Sequence, residues 1–113
     1  MKSMSYAALA AVGVLSATLS AGSPAAHAEA AAGLALAQQK NCMSCHSVTR
    51  PFMGPALHDV AAKYAGREDA ATYLKDKILD GSTGVWGSVP MPANTQLTPD
   101  QAATLASWVM TLK

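Results

Sequence analysis

Cys42-Met43-Ser44-Cys45-His46 is the feature of this chain that leaves the fewest options open. Two thiols with two residues between them, followed at once by a histidine, form the pattern that attaches c-type haem. The spacing has a geometric basis. Cysteines three positions apart on one helical turn can each bond a vinyl group along one edge of a porphyrin, and His46 is then held against the iron. The chain has 113 residues and no other cysteine. So short a chain buries limited apolar surface, and small domains commonly need a metal, a disulfide or another staple. A covalent haem would be that staple.

Three other uses of the motif compete. A redox-active dithiol normally sits in a βαβ context, which this sequence lacks. A structural zinc site needs further ligands at fixed spacing, and after His46 only His58 is available. A plain disulfide suits an oxidising compartment but leaves His46 and the weak core without a role.

The N-terminus addresses the compartment. Lys2 is the one charged residue before Glu29; an apolar stretch runs from Tyr6 to Leu19, and a small, polar segment ends in Ala26-His27-Ala28. This is the three-part layout of a secretory signal peptide. A spanning helix needs ~20 apolar residues, and this run is shorter, so a retained anchor is the lesser reading. Residues 1–28 are expected to be a cleaved signal peptide, and residues 29–113 one exported domain. Eight Lys/Arg stand against seven Asp/Glu, and loss of Lys2 brings the formal charge near zero. No basic stripe of the kind nucleic acid requires is present, so that partner class is not expected; a partner docked by apolar contact stays open.

Within 29–113 the periodic segments are helical, and no strand-like alternation appears. Ala30–Gln39 is rich in Ala, Leu and Gln and free of proline, which predicts a first helix running into the cysteine motif. Pro51, Gly54 and Pro55 then punctuate a loop, after which Leu57, Val60, Ala61 and Tyr64 recur at helical spacing up to Gly66. Residues 67–79 give Ala70, Ala71, Leu74 and Ile78 on one side, with Asp80-Gly81 as the stop. Residues 81–97 have no periodicity, and structureless loops of that length inside small domains usually carry function. Thr98-Pro99-Asp100-Gln101 is a strong helix start, with a capping threonine, a proline at the first position and a glutamine to complete the box. The final helix is expected to reach about Leu112, with Leu105, Trp108, Val109 and Leu112 as an apolar stripe that needs a helix to cover it. The fold class is all-α, about four helices around the haem.

Whatever fills the second axial position of the iron decides between electron transfer and ligand chemistry. Met43 is tied to the wrong edge of the ring, Met53 follows His46 too closely to cross to the other face, and Met110 reads as a gap-filling core residue. Met91 lies far from His46 in a long loop, and Pro90 and Pro92 limit its backbone so that the thioether can be presented with little entropy left to lose. Met91 is therefore the favoured ligand. His58 and an open sixth position are the alternatives.

Cys42-Met43-Ser44-Cys45-His46, Gly54-Pro55, Gly84-Val85-Trp86-Gly87 and Pro90-Met91-Pro92-Ala93-Asn94 occur in an order and spacing that resembles the short bacterial class I cytochromes c of the c-551 type, also called cytochrome c8. The resemblance covers essentially all of 29–113. It implies a few helices wrapped round the haem with the first and last crossing. It also implies that the Pro55 carbonyl orients His46, that Asn94 hydrogen-bonds the axial sulfur, and that the Trp86 indole N–H binds a haem propionate. Lys77 stands where the family may place a cation near a propionate, or on a solvated helix face. In one respect the chain departs from the pattern. Its first helix offers Ala35, Leu36 and Ala37 where the family often has a large aromatic residue, which leads to an expectation of looser contact between the terminal helices.

The expected function is a monomeric periplasmic electron carrier, not an enzyme, with one haem c held by Cys42 and Cys45 and ligated by His46 and Met91. The resemblance implies respiratory partners: nitrite reductases, terminal oxidases, bc-type complexes and small copper proteins. A haem enzyme or gas sensor with a missing sixth ligand would instead bind carbon monoxide readily. An interaction module within a membrane complex would keep the N-terminal segment as an anchor.

Overall fold

Among the described residues, four helices pack around a core that belongs mainly to the last of them. In the computed structural model the described residues are Ala10, Gly13 and 24–113, so most of the segment 1–28, read as a signal peptide, lies outside them. The helices are α1 (Pro24–Gln39), α2 (Leu57–Tyr64), α3 (Ala70–Asp80) and α4 (Pro99–Val109), with a single 3-10 turn at Cys42–Ser44. No helix among the described residues is long and apolar enough to cross a membrane.

Helix α4 forms where its start signals place it. The Thr98 hydroxyl accepts from the Gln101 amide at 3.2 Å, and the Gln101 side chain accepts from the Thr98 amide at 3.1 Å. This reciprocal box satisfies two amides that the first turn otherwise leaves orphaned. Ala102, Leu105, Ala106, Trp108 and Val109 then bury the face that meets α1, α2 and α3. Regular helix ends at Val109 rather than near Leu112. The Thr111 and Leu112 amides turn back three residues to Trp108 and Val109, tightening the last turn.

Helix α3 starts three residues later than the expected element 67–79, at the first residue of its apolar face. Asp69 occupies the cap position, but both its carboxylate oxygens are taken by Arg67, at 2.7 and 2.9 Å. That fork holds 67–69 in a turn outside the helix. Arg67 also lies 4.1 Å from the centre of the Tyr73 ring, and Tyr73 packs on Tyr64 of α2 at 5.1 Å, so the α2–α3 corner is built from aromatic rings under one guanidinium.

Helix α1 extends the expected element at its N-terminal end, passing through Ala28. Every residue of 24–32 is exposed, and packing begins at Gly33. The contact of α1 with α4 is close, not loose. A Cβ on Gly33 would overlap the Cβ, Cγ and Cδ1 atoms of Trp108, and Ala37 one turn on is fully buried. The aromatic that the crossing needs comes from α4, and the missing side chain of Gly33 makes room for it. The core is completed by Leu57, Val60, Tyr64, Leu74 and Leu97.

Candidate haem-binding site

Directly after α1, the chain turns at Asn41 through φ 62°, a left-handed conformation that asparagine tolerates better than most residues, and enters the 3-10 turn. Cys42 and Cys45 sit at either end of that turn as free thiols, not as a disulfide. Burial pushes the Cys42 thiol up; a backbone hydrogen bond opposes the rise and Cys45 adds to it. The direction is opposite to the depression that activates redox-active dithiols.

His46 follows on a loop stitched to the turn by backbone bonds, Gly54 to the Cys45 carbonyl at 2.8 Å, and Leu57 and His58 to Ser47 and Val48 at 2.9 Å each. Its Nδ1 lies 2.8 Å from the Pro55 carbonyl oxygen. A carbonyl only accepts, so Nδ1 carries the proton and Nε2 keeps its lone pair for a metal. Gly54 fixes the other coordinate of the ring. A Cβ there would stand 2.6 Å from His46 Cε1 and 2.9 Å from Nδ1, so the imidazole lies directly against the backbone of residue 54.

Met91 is presented by the loop between α3 and α4. Gly81 ends α3 with φ 81° and ψ 178°, a conformation essentially reserved for glycine, and a Cβ there would also meet the Met91 carbonyl oxygen at 2.6 Å. The chain next closes on itself. Ser82 and Met91 exchange both backbone hydrogen bonds, at 2.9 and 2.8 Å, in an isolated antiparallel bridge that the sequence reading did not anticipate. With both its peptide groups satisfied and a proline on each side, the Met91 backbone has few alternatives.

These segments border one cleft of about 490 Å³, within the range of small-molecule and cofactor pockets. Cys42, Cys45, His46, Pro55 and Met91 line it, as do Trp86, Asn94 and Lys77. These eight residues, read from the sequence as anchors, ligands or haem contacts, therefore share one cleft. Asn94 differs in detail: its Nδ2 donates to the Ile78 carbonyl at 2.9 Å and its backbone amide reaches the same oxygen at 3.2 Å, tying the loop to the end of α3. Trp86 is 41% exposed at the cleft. It is not an ordinary core aromatic.

Three of the other axial candidates lie away from the cleft. His58 points outward and sits 3.7 Å from Asp59, and Met43 and Met110 pack on the hydrophobic core. Met53 does border the cleft, one residue from Gly54 on the His46 loop, and is more than half exposed. The Gly54 contact with His46 was not extracted from the sequence, although its one signal, a glycine immediately before Pro55, was visible there.

The donor set fits a covalently held haem: two unlinked thiols, an imidazole with a free Nε2 and a thioether around a cleft of the right size. The comparisons agree. A family model described as Cytochrome c matches residues 30–113. Cytochrome c-552 of Nitrosomonas europaea is 54% identical over 78 residues, covering 69% of this chain and 76% of that protein. Cytochrome c-551 of Ectopseudomonas mendocina is 54% identical over 83 residues, covering 74% of this chain and 100% of that protein. The crystal structure of wild type Nitrosomonas europaea cytochrome c552 matches with a TM-score of 0.70 at 52% identity, over 71% of this chain and 99% of that one. The chain belongs to the cytochrome c family, as a small class I member that binds haem c covalently through its two cysteines and transfers electrons rather than catalysing a reaction.

Proposed function

We propose that this protein is a periplasmic, single-haem electron carrier in which His46 and Met91 ligate the iron, passing one electron at a time between larger respiratory redox proteins. The observation that carries the reading is the pairing of two prepared ligands on one cleft: His46 with Nδ1 committed to Pro55, and Met91 with its backbone pinned by Ser82. When bound, haem c supplies an iron that alternates between ferrous and ferric, and methionine sulfur with an apolar surround favours the ferrous form and a high potential.

The chain's own residues keep that change of charge from becoming a change of shape. The Pro55 carbonyl and the Gly54 backbone hold the imidazole in one orientation, which also makes Nε2 a better donor. The Ser82 bridge and the two prolines hold Met91. Asn94 has a second Nδ2 hydrogen beyond the one given to Ile78, and we assign it to the Met91 sulfur. Trp86 at the cleft rim is assigned to a haem propionate, and Lys77 is near enough to the same cleft to add positive charge there.

Export rests on the layout of residues 1–28. A cut after Ala28 falls within the exposed start of α1, four residues before its first buried position, Gly33. The mature protein would be a monomer without a membrane anchor, meeting reductases, oxidases, bc-type complexes or small copper proteins at the haem edge. The test is to express the full chain with a haem-attachment system and to fractionate the cells. The expected product is periplasmic, begins at Glu29, carries one haem by mass, does not bind carbon monoxide at neutral pH and reduces a small copper protein in stopped flow. A membrane-bound product that still begins at Met1, or ready uptake of carbon monoxide, overturns the proposal.

A further inference from the structure

The tip of the loop that carries Met91 has little holding it. Residues 83–90 are all exposed, and no amide from Thr83 to Val89 donates a hydrogen bond among the described residues. Gly84 and Gly87 bracket Trp86 at φ 80° and 118°, and a Cβ at either would touch nothing, so they bend the chain without packing it. A segment of this kind sits at the low-stability end of a structure. Yet Trp86 is kept at the cleft.

What meets Trp86 is the end of α2. Lys63 Nζ stands 5.2 Å from the centre of the indole ring. The neighbouring Tyr64, last residue of α2, lines the same cleft as the indole. Lys63 is also well placed on its own helix, since a cation in the last turn faces the negative end of the dipole. The cation lies within the range at which it is attracted to the face of an aromatic ring.

We propose that Lys63 is a positioning residue: its ammonium on the Trp86 ring latches the tip of the 81–97 loop to α2 and so holds the Met91 arm closed over the cleft. The inference rests on the reading of Met91 as an iron ligand for its functional meaning, but the latch itself is a property of the chain. Opening the tip frees Pro90 and strains the Ser82–Met91 bridge, because the residues between those two are one short, otherwise unbonded excursion. A cation on a partly exposed indole biases such an opening equilibrium about two- to five-fold.

The test is amide hydrogen exchange in the holoprotein, read at Ser82 and Met91, the two amides that close the base of the loop. Lys63→Met is expected to speed exchange at both about two- to five-fold and to leave the amides of α4 unchanged. Lys63→Arg is expected to restore the wild type rates, because a guanidinium also lies on an aromatic face. Trp86→Leu should speed the same two amides, with Lys63→Met adding nothing further in that background. The proposal is overturned if Lys63→Met leaves both amides unchanged, or if it acts equally with Trp86 and with Leu at 86, which would place its effect outside the indole. Failure of Met91 ligation is read separately, from the near-infrared spectrum of the wild type protein, and does not alter these exchange rates' meaning.

Discussion

Replacing Gly33 with alanine separates packing from helix propensity, because the two give opposite signs. In an exposed helix interior the change gains about 1 kcal/mol, since glycine is the poorest ordinary helix former. Here the new Cβ would stand 2.5 Å from Trp108 Cβ and Cδ1, where ordinary contact begins near 3.4 Å. The obstruction includes an atom fixed to the α4 backbone, so rotating the ring cannot relieve it. Either α1 moves about 1 Å away from α4 or the helix slides, in a core packed as densely as a crystal. Overpacking of this kind costs about 1–3 kcal/mol, and a backbone-anchored clash belongs at the upper end. The net expectation is a loss of about 1–2 kcal/mol, or roughly 4–16 °C in Tm for a domain of this size. Urea denaturation of the holoprotein measures it, with Ala32→Gly, one residue away and exposed, as the propensity control expected to cost about 1 kcal/mol. A Gly33→Ala protein as stable as wild type, or more stable, would refute the account of the α1–α4 crossing. Because only Lys40 and Asn41 separate α1 from Cys42, a displaced α1 should also lower the yield of haem attachment.

Three further perturbations probe other parts of the structure. Gly54→Ala places a Cβ 2.6 Å from His46 Cε1, and should lower stability by about 1–3 kcal/mol and shift the histidine ring resonances in NMR of the reduced protein. Burial, then Tyr73, raises the Tyr64 phenol, with Arg67 and Trp86 opposing. A raised folded value means that the neutral phenol's contribution is fully present below the unfolded pKa of about 10 and is lost as pH rises through the folded one. Urea midpoints at pH 8 and pH 11 should therefore fall further apart in wild type than in Tyr64→Phe. Thr98→Ala removes the cap of α4 and should cost about 1 kcal/mol by thermal melting.

What the sequence made legible was local. Thr98, Pro99 and Gln101 lie within four residues, and the box they form is complete in the structure. Leu57, Val60, Ala61 and Tyr64 show their shared face by spacing alone, and all four are buried. The haem motif is a contiguous pentapeptide. What remained hidden depends on partners distant in the chain. Gly33 reads as a mild flaw in an alanine-rich helix until Trp108 is laid on it. Asn94 is indistinguishable from a turn residue until Ile78, sixteen positions earlier, offers its carbonyl. The delayed start of α3 follows from Arg67 taking both oxygens of Asp69, a competition between a charged fork and a cap that helical periodicity does not register. Lys63 reads as one more exposed lysine because its partner belongs to a loop without periodicity.

The central claim is that one haem, fixed by Cys42 and Cys45, is ligated by His46 and Met91. The weak sulfur-to-iron charge-transfer band of the ferric protein in the near-infrared tests it most directly, recorded for wild type and for Met91→Ala. The account predicts covalent haem in both proteins, the band in wild type and its absence in Met91→Ala, with the ferrous variant newly able to bind carbon monoxide. A wild type protein that lacks the band, or a Met91→Ala protein that keeps it, would place another residue, or none, in the sixth position and contradict the account.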